Sequence, residues 1–228
     1  SFSTPTAPAG HSEQNEAMNS LIKICGTKDP DNIREVVALQ PDLLGFIFYS
    51  KSPRYIGKNP DFALFREIPS GIGKTGVFVN TEPEAVLIQS KKLELDFVQL
   101  HGEESPNDCR ILTHNGLQVI KAFQINSSFR FELLKQYAPF CRFFLFDTPT
   151  STYGGSGKQF NWSVLDYYEG PVPFFLSGGI GPEDAGKLTG FSHPFLAGVD
   201  VNSRFETSPG IKDIAQLKKF IHIIRQRI

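Results

Sequence analysis

At 228 residues, with 40% hydrophobic and 21% charged side chains, the chain carries enough apolar material for one core of the larger single-domain kind. Lysine and arginine total 23 against 24 aspartate and glutamate, so there is no basic field to hold a nucleic-acid backbone, although backbone amides can still hold a small anion. No stretch approaches the roughly 18 apolar residues of a membrane span, and three sparse cysteines (25, 109 and 141) in neither a C-x-x-C pair nor a metal spacing predict free thiols in a reducing, cytoplasmic setting. Residues 1–20 are polar and small and lack the apolar stretch of a secretory signal; they read as a lead-in outside the fold, with one folded domain over 21–228.

From Leu21 onward, short β-branched or aromatic runs alternate with amphipathic segments. Strands are predicted at Leu21–Cys25, Leu44–Tyr49, Thr75–Asn80, Phe97–His101, Val119–Gln124, Phe143–Thr148, Phe174–Gly178 and Phe195–Val201. Helical spacing lies between them, as in Ile33-Val36-Val37 and Leu87-Ile88 before Leu95. Several helix starts share a capping-type residue followed by proline: Asp29-Pro30, Asn59-Pro60, Ser105-Pro106 and Gly181-Pro182. Ile211 to Ile228 repeats Ile211, Ile214, Leu217, Ile221 and Ile224, the pattern of a last helix rather than of a membrane-surface one. Most strands are apolar on both faces, as in Gly45-Phe46-Ile47-Phe48, which predicts a parallel sheet covered by helices. Eight such units match the α/β class and a (β/α)8 barrel, a TIM barrel in one domain. An open doubly wound sheet would place its phosphate glycines in the first βα turn. That turn, Cys25-Gly26-Thr27-Lys28, holds a single glycine.

The glycines cluster late, in Tyr153-Gly154-Gly155-Ser156-Gly157-Lys158, in Ser177-Gly178-Gly179-Ile180-Gly181, and at Gly198 before Asn202-Ser203. Each run alone could be a tight turn. Together they sit where barrels place a phosphate, so Gly155, Ser156, Gly157, Gly178, Gly179, Asn202 and Ser203 are the candidate phosphate-binding residues. Gly73-Lys74-Thr75 resembles the tail of a nucleotide P-loop, but Ile68 stands where the first glycine is required.

Catalytic groups in a barrel sit at the C-terminal strand ends. Those ends offer Cys25, the Ser52-Pro53-Arg54 loop, Asn80, His101, Asp147 and Asp200. A thiol such as Cys25 at a strand mouth serves as nucleophile or general base if it reaches the thiolate, or else is a small buried apolar residue, which is the reading for Cys109 and Cys141. Asp147 closes the apolar run Phe143-Phe144-Leu145-Phe146, which suits either a partly desolvated general acid or a loop cap. Arg54 could clamp a substrate carboxylate or simply lie on the surface. His101 has no second ligand at metal spacing, and no metal or cofactor site is predicted.

These motifs, taken in order, carry a resemblance. Lys23-Ile24-Cys25-Gly26, Gly45-Phe46-Ile47-Phe48-Tyr49 with Ser52-Pro53-Arg54-Tyr55-Ile56, Gly76-Val77-Phe78-Val79-Asn80, Val98-Gln99-Leu100-His101-Gly102, Ile120-Lys121-Ala122, Asp147-Thr148, Gly154-Gly155-Ser156-Gly157 and Leu176-Ser177-Gly178-Gly179 together resemble the phosphoribosylanthranilate isomerase family of tryptophan biosynthesis. The resemblance covers Leu21 to Ile228. It implies a cofactor-free Amadori rearrangement of a small phosphorylated substrate by a monomer or homodimer, with no nucleic-acid or membrane partner. It also implies Asp147 as general acid, Cys25 as general base, Arg54 on the anthranilate carboxylate and Asp200 near the sugar hydroxyls, with His101 among the substrate-binding residues. The family often has Ser-Ser-Gly-Val-Glu after the eighth strand, where this chain has Asn202-Ser203-Arg204-Phe205-Glu206. Arg204 thus stands in a glycine's place and would add a phosphate contact or change the turn. The related histidine-pathway sugar isomerases resemble a duplicated half-barrel with aspartates ending strands one and five. Here those strands end in Cys25 and in Gln124-Ile125. A catalytically dead phosphosugar-binding barrel would be expected to lack Cys25 or Asp147.

Overall fold

In the computed structural model, which describes residues 21–148 and 161–226, eight parallel strands close into a barrel in sequence order. They are β1 (Leu21–Cys25), β2 (Leu43–Ile47), β3 (Gly73–Phe78), β4 (Phe97–Leu100), β5 (Gln118–Gln124), β6 (Phe143–Asp147), β7 (Phe174–Leu176) and β8 (Leu196–Val201). β8 returns to β1 with Lys23 opposite Asp200, which completes the ring. Several predicted strands run past the observed C-terminal ends. Asn80 takes φ 50° and Gly178 φ 89°, conformations that leave the ladder and turn the chain into the mouth loops.

The helices are α1 (Pro30–Ala38), α2 (Phe62–Glu67), α3 (Pro83–Leu93), α4 (Pro106–His114), α5 (Ala185–Gly190) and α6 (Ile214–Arg225). Asp29 caps α1 by accepting from the Asn32 N–H at 2.9 Å, with Pro30 in the first turn. Ser105 and Asp108 cap α4 reciprocally: the Ser105 N–H donates to Asp108 Oδ2 at 2.7 Å and the Asp108 N–H to Ser105 Oγ at 3.3 Å. Two predicted starts shift. α2 begins after Asp61, whose side chain accepts from the Ala63 N–H at 2.9 Å, and not at Asn59-Pro60. The last helix begins at Ile214 and not Ile211, because β10 (Ile211–Lys212) pairs antiparallel with β9 (Glu206–Ser208).

The outer layer also departs from eight full helices. Between β5 and β6 the chain makes 3-10 turns at Phe131–Gln136 and Ala138–Phe140, and Trp162–Tyr167 is a 3-10 segment before β7. Aromatic rings fill the space that helices would cover: Phe131 packs on Phe146 at 6.0 Å, and Tyr168 lies 5.1 Å from Phe146 and 5.7 Å from Phe174. Short turns carrying large rings thus seal the outward faces of β6 and β7.

Inside the barrel, Leu43, Ile120, Phe143, Leu145, Phe175 and Ala197 form an apolar floor. The β7–β8 register slips by one, with Phe174 opposite Leu196 but Phe175 opposite Gly198. This bulge lets both Ala197 and Asp200 face inward although they are three residues apart, while Leu196, Val199 and Val201 pack outward. No helix among the described residues is long and apolar enough to cross a membrane.

Candidate active site

A cavity opens above this floor at the C-terminal strand ends. Cys25, His101, Asp147 and Asp200 all line it. Gly178, Gly179, Asn202 and Ser203 line the same cavity from the turns after β7 and β8. The predicted phosphate residues Gly155, Ser156 and Gly157, like the lead-in 1–20, lie outside the described residues. The described candidates therefore converge, except for Arg54 and Asn80.

Arg54 does not line the cavity. Its Nε donates to Glu206 Oε1 at 2.9 Å and its Nη2 to Glu206 Oε2 at 2.7 Å, and the residue is buried. Lys212 Nζ donates to the same carboxylate at 2.7 Å and to Asn202 Oδ1 at 2.8 Å. Burial works against the charge of Glu206, but Arg54 and Lys212 outweigh it and hold the carboxyl below its usual range. Among the described residues Nη1 of Arg54 has no partner, so one edge of the guanidinium remains for another carboxylate.

Cys25 ends β1 and is 4% exposed. Its partner across the ladder is Gly45, where an added Cβ would stand 2.7 Å from Sγ. The glycine thus makes room for the thiol. Burial pushes the Cys25 thiol above its ordinary value; Lys23 pulls it down, Asp200 pushes it up and Lys212 pulls it down. Lys23 is fully buried, and its Nζ donates to Asp200 Oδ1 at 2.7 Å, while Ser177 Oγ donates to Asp200 Oδ2 at 2.9 Å.

Asp147 sits at the end of β6 and accepts from the Thr148 N–H through Oδ1 at 2.7 Å. Its Oδ2 lies 3.2 Å from His101 Nε2, and His101 Nδ1 lies 2.8 Å from Gln99 Nε2. Gln99, His101 and Asp147 thus follow one another along the cavity wall, with Gln99 hydrogen-bonded to His101 and His101 beside Asp147. Gly178 is required beneath it: an added Cβ would stand 2.7 Å from Asp147 Oδ1 and 2.6 Å from the Thr148 amide. A carboxyl beside an imidazole can exchange protons with a ligand, and a thiol across the same cavity can do the same. Among the described residues no group of His, Cys, Asp or Glu is arranged to hold a metal ion.

Asn80, another predicted mouth residue, serves the loop instead: its Oδ1 accepts from the Glu103 N–H at 2.7 Å and its N–H donates to Glu104. Arg204 pairs with Glu183 at the rim, both partly exposed, and bridges the turns after β7 and β8. Sequence reasoning missed Lys23, Gln99 and Ser177 as working residues. A polar side chain inside Leu-Ile-Lys-Ile-Cys, a strand otherwise apolar on both faces, was the available signal. Glu206 and Lys212 gave none, since only the β9–β10 hairpin brings them under the site.

The family model described as N-(5'phosphoribosyl)anthranilate (PRA) isomerase matches residues 22–223. The N-(5'-phosphoribosyl)anthranilate isomerase of Parabacteroides distasonis is 46% identical, covering 90% of this chain and 93% of its own. That of Phocaeicola vulgatus is 42% identical, covering 91% of this chain and 99% of its own. The crystal structure of phosphoribosyl anthranilate isomerase from Thermotoga maritima superposes with a TM-score of 0.79 at 37% identity, over 90% of this chain and 98% of that one. The chain belongs to the N-(5'-phosphoribosyl)anthranilate isomerase family.

Proposed function

We propose that the protein isomerises N-(5'-phosphoribosyl)anthranilate to 1-(2-carboxyphenylamino)-1-deoxyribulose 5-phosphate by general acid–base catalysis, in tryptophan biosynthesis. The observation that carries the chemistry is the placement of Cys25 and the His101–Asp147 pair on the walls of one cavity. Asp147 protonates the furanose ring oxygen, and the ring opens to an iminium. Cys25 as thiolate removes the proton from the adjacent sugar carbon, which the iminium acidifies. The enolamine then tautomerises to the ketone, as its former iminium carbon gains a proton and the enol hydroxyl loses one. His101, at 3.2 Å, is positioned to return a proton to Asp147. Gly178, Gly179, Asn202 and Ser203 hold the phosphate, and Gly155, Ser156 and Gly157 are assigned to the same phosphate by the family resemblance. Asp200 faces the sugar hydroxyls. Arg54 takes the anthranilate carboxylate through its Nη1 edge while Glu206 retains the other.

The near-neutral charge supports a small-molecule substrate rather than nucleic acid, handled in the cytoplasm by a monomer or homodimer. The test is the decay of phosphoribosylanthranilate fluorescence with purified protein and no added metal. Cys25→Ser and Asp147→Asn should each lower turnover by orders of magnitude with substrate affinity largely kept. Decay no faster than background with the unaltered protein would overturn the reading.

A further inference from the structure

Beneath Cys25 lies a buried cluster of charges. Along β1, Ile22 and Ile24 join the outer core, whereas Lys23 and Cys25 share the inward face, two residues apart. Lys23 is fully buried and bonded to Asp200 at 2.7 Å. From the other side the β9–β10 hairpin inserts Lys212, whose bonds to Asn202 and Glu206 hold it in place, and Glu206 in turn holds Arg54. Gly26, the residue after Cys25, abuts both Asn202 and Arg54, which joins the two halves around the thiol.

The cluster contains three cations, Lys23, Lys212 and Arg54, and two anions, Asp200 and Glu206. It is one anion short. Buried charge is stable only when compensated, and Cys25 is a titratable group that feels both Lys23 and Lys212. The remaining described neighbours supply no cation or anion next to the thiol: β2 and the turn after it present Gly45, Ile47 and Tyr49, and Asp147 stands across the cavity beside His101. Burial opposes the charge on both lysines: for Lys23, Asp200 and Cys25 outweigh it and hold the ammonium above its ordinary pKa, whereas for Lys212 burial prevails over Glu206 and holds it below.

We propose that Lys23 and Lys212 are positioning residues whose buried amino groups, when charged, offset the burial of Cys25 and stabilise its thiolate. The inference deepens the proposed mechanism and rests on it only for the use to which the thiolate is put. Neither lysine touches substrate; they act through the sulfur. Asp200 and Glu206 anchor the two ammonium groups against the barrel wall, and so keep each cation near Cys25 rather than in the substrate space.

The experiment reads the thiolate without substrate: its ultraviolet absorbance is followed against pH as the difference between each protein and its Cys25→Ser counterpart, so Cys109 and Cys141 cancel. Lys212→Met, which leaves Glu206 with Arg54, should raise the thiolate midpoint by about one pH unit, roughly tenfold less thiolate at a given pH. Lys23→Met should do the same, with Lys23→Met/Asp200→Asn as the variant that avoids an unpaired buried carboxylate. Lys→Arg at either position should restore the midpoint, and the acid limb of kcat/KM should move in parallel. Unmoved midpoints in folded Met variants would overturn the proposal, as would Arg variants that behave like Met. If midpoints move but Cys25→Ser remains active, the cluster stands and the base assignment falls.

Discussion

Gly45→Ala tests how finely the thiol must be placed. The added Cβ would lie 2.7 Å from Cys25 Sγ, 3.0 Å from its Cα and 3.2 Å from its Cβ, where ordinary contact begins at 3.4 Å. The backbones cannot part freely, because the Gly26 N–H donates to Gly45 O at 2.9 Å within the β1–β2 ladder. Sulfur must therefore move by about 0.7 Å, the difference between 3.4 and 2.7 Å. Overpacking of this size costs about 1–3 kcal/mol, and for a domain of this length each kcal/mol lowers the melting temperature by about 2–4 °C. A displaced catalytic atom costs on the order of 100-fold in rate per ångström, so kcat/KM should fall by about 10- to 100-fold. Steady-state fluorescence assays and thermal melts read the two effects separately. Gly186→Ala, where nothing lies within 4 Å in α5, is the control and should gain about 0.5–1 kcal/mol with activity intact. A folded Gly45→Ala protein with unchanged kcat/KM would refute the claim that the sulfur's position limits the reaction.

Two further outcomes concern charge. Glu206 is held below the usual carboxylate range, so the stability it contributes is complete above an ordinary carboxylate pKa and is lost as pH falls through its lower folded value. Glu206→Gln should therefore cost about 3–5 kcal/mol at neutral pH, by leaving Arg54 and Lys212 short of an anion, flatten the acid limb of denaturant-derived stability, and raise KM as Arg54 loses its anchor; an unchanged KM would separate Arg54 from carboxylate binding. Burial holds the His193 imidazole below its ordinary pKa against the carbonyls of Leu165 and Tyr168, which accept from Nε2 at 3.1 Å each. Its neutral form is thus favoured by folding, and stability should decline as pH drops below about 6.5; His193→Gln should lose that slope, and an NMR titration placing His193 at or above its ordinary value would contradict the argument.

The barrel was readable because each strand is a run of apolar residues flanked by loop chemistry, and because mouth residues such as Cys25, His101, Asp147 and Asp200 interrupt those runs at one end. The Pro-led starts at Asp29 and Ser105 were local signals and so correct, whereas Asn59-Pro60 mimicked one two residues early, before Asp61. The helix layer over β5 and β6 was not legible. Phe131, Tyr137 and Tyr168 stabilise 3-10 turns by packing on rings far along the chain, which no short-range period encodes. The same limit hid the engagement of Arg54: its partner is 152 residues away. Lys23 and Asp200 are separated by 177, and the bulge that turns Asp200 inward is a property of strand pairing rather than of either strand.

The hairpin after β8 is fastened to the first helix. The Lys212 N–H donates to Asn32 Oδ1 at 2.6 Å, and Asn32 Nδ2 donates back to Lys212 O at 3.0 Å, across 180 residues. Asp200, Glu206 and Lys212 thus reach Cys25 only when the last fifth of the polypeptide docks against its opening βα unit. During synthesis on the ribosome the thiol would wait, without these partners, until β8 and the hairpin after it had emerged. Catalytic competence is then a reporter of ring closure itself, and a truncated or unclosed barrel would be chemically silent however well its first six strands had formed.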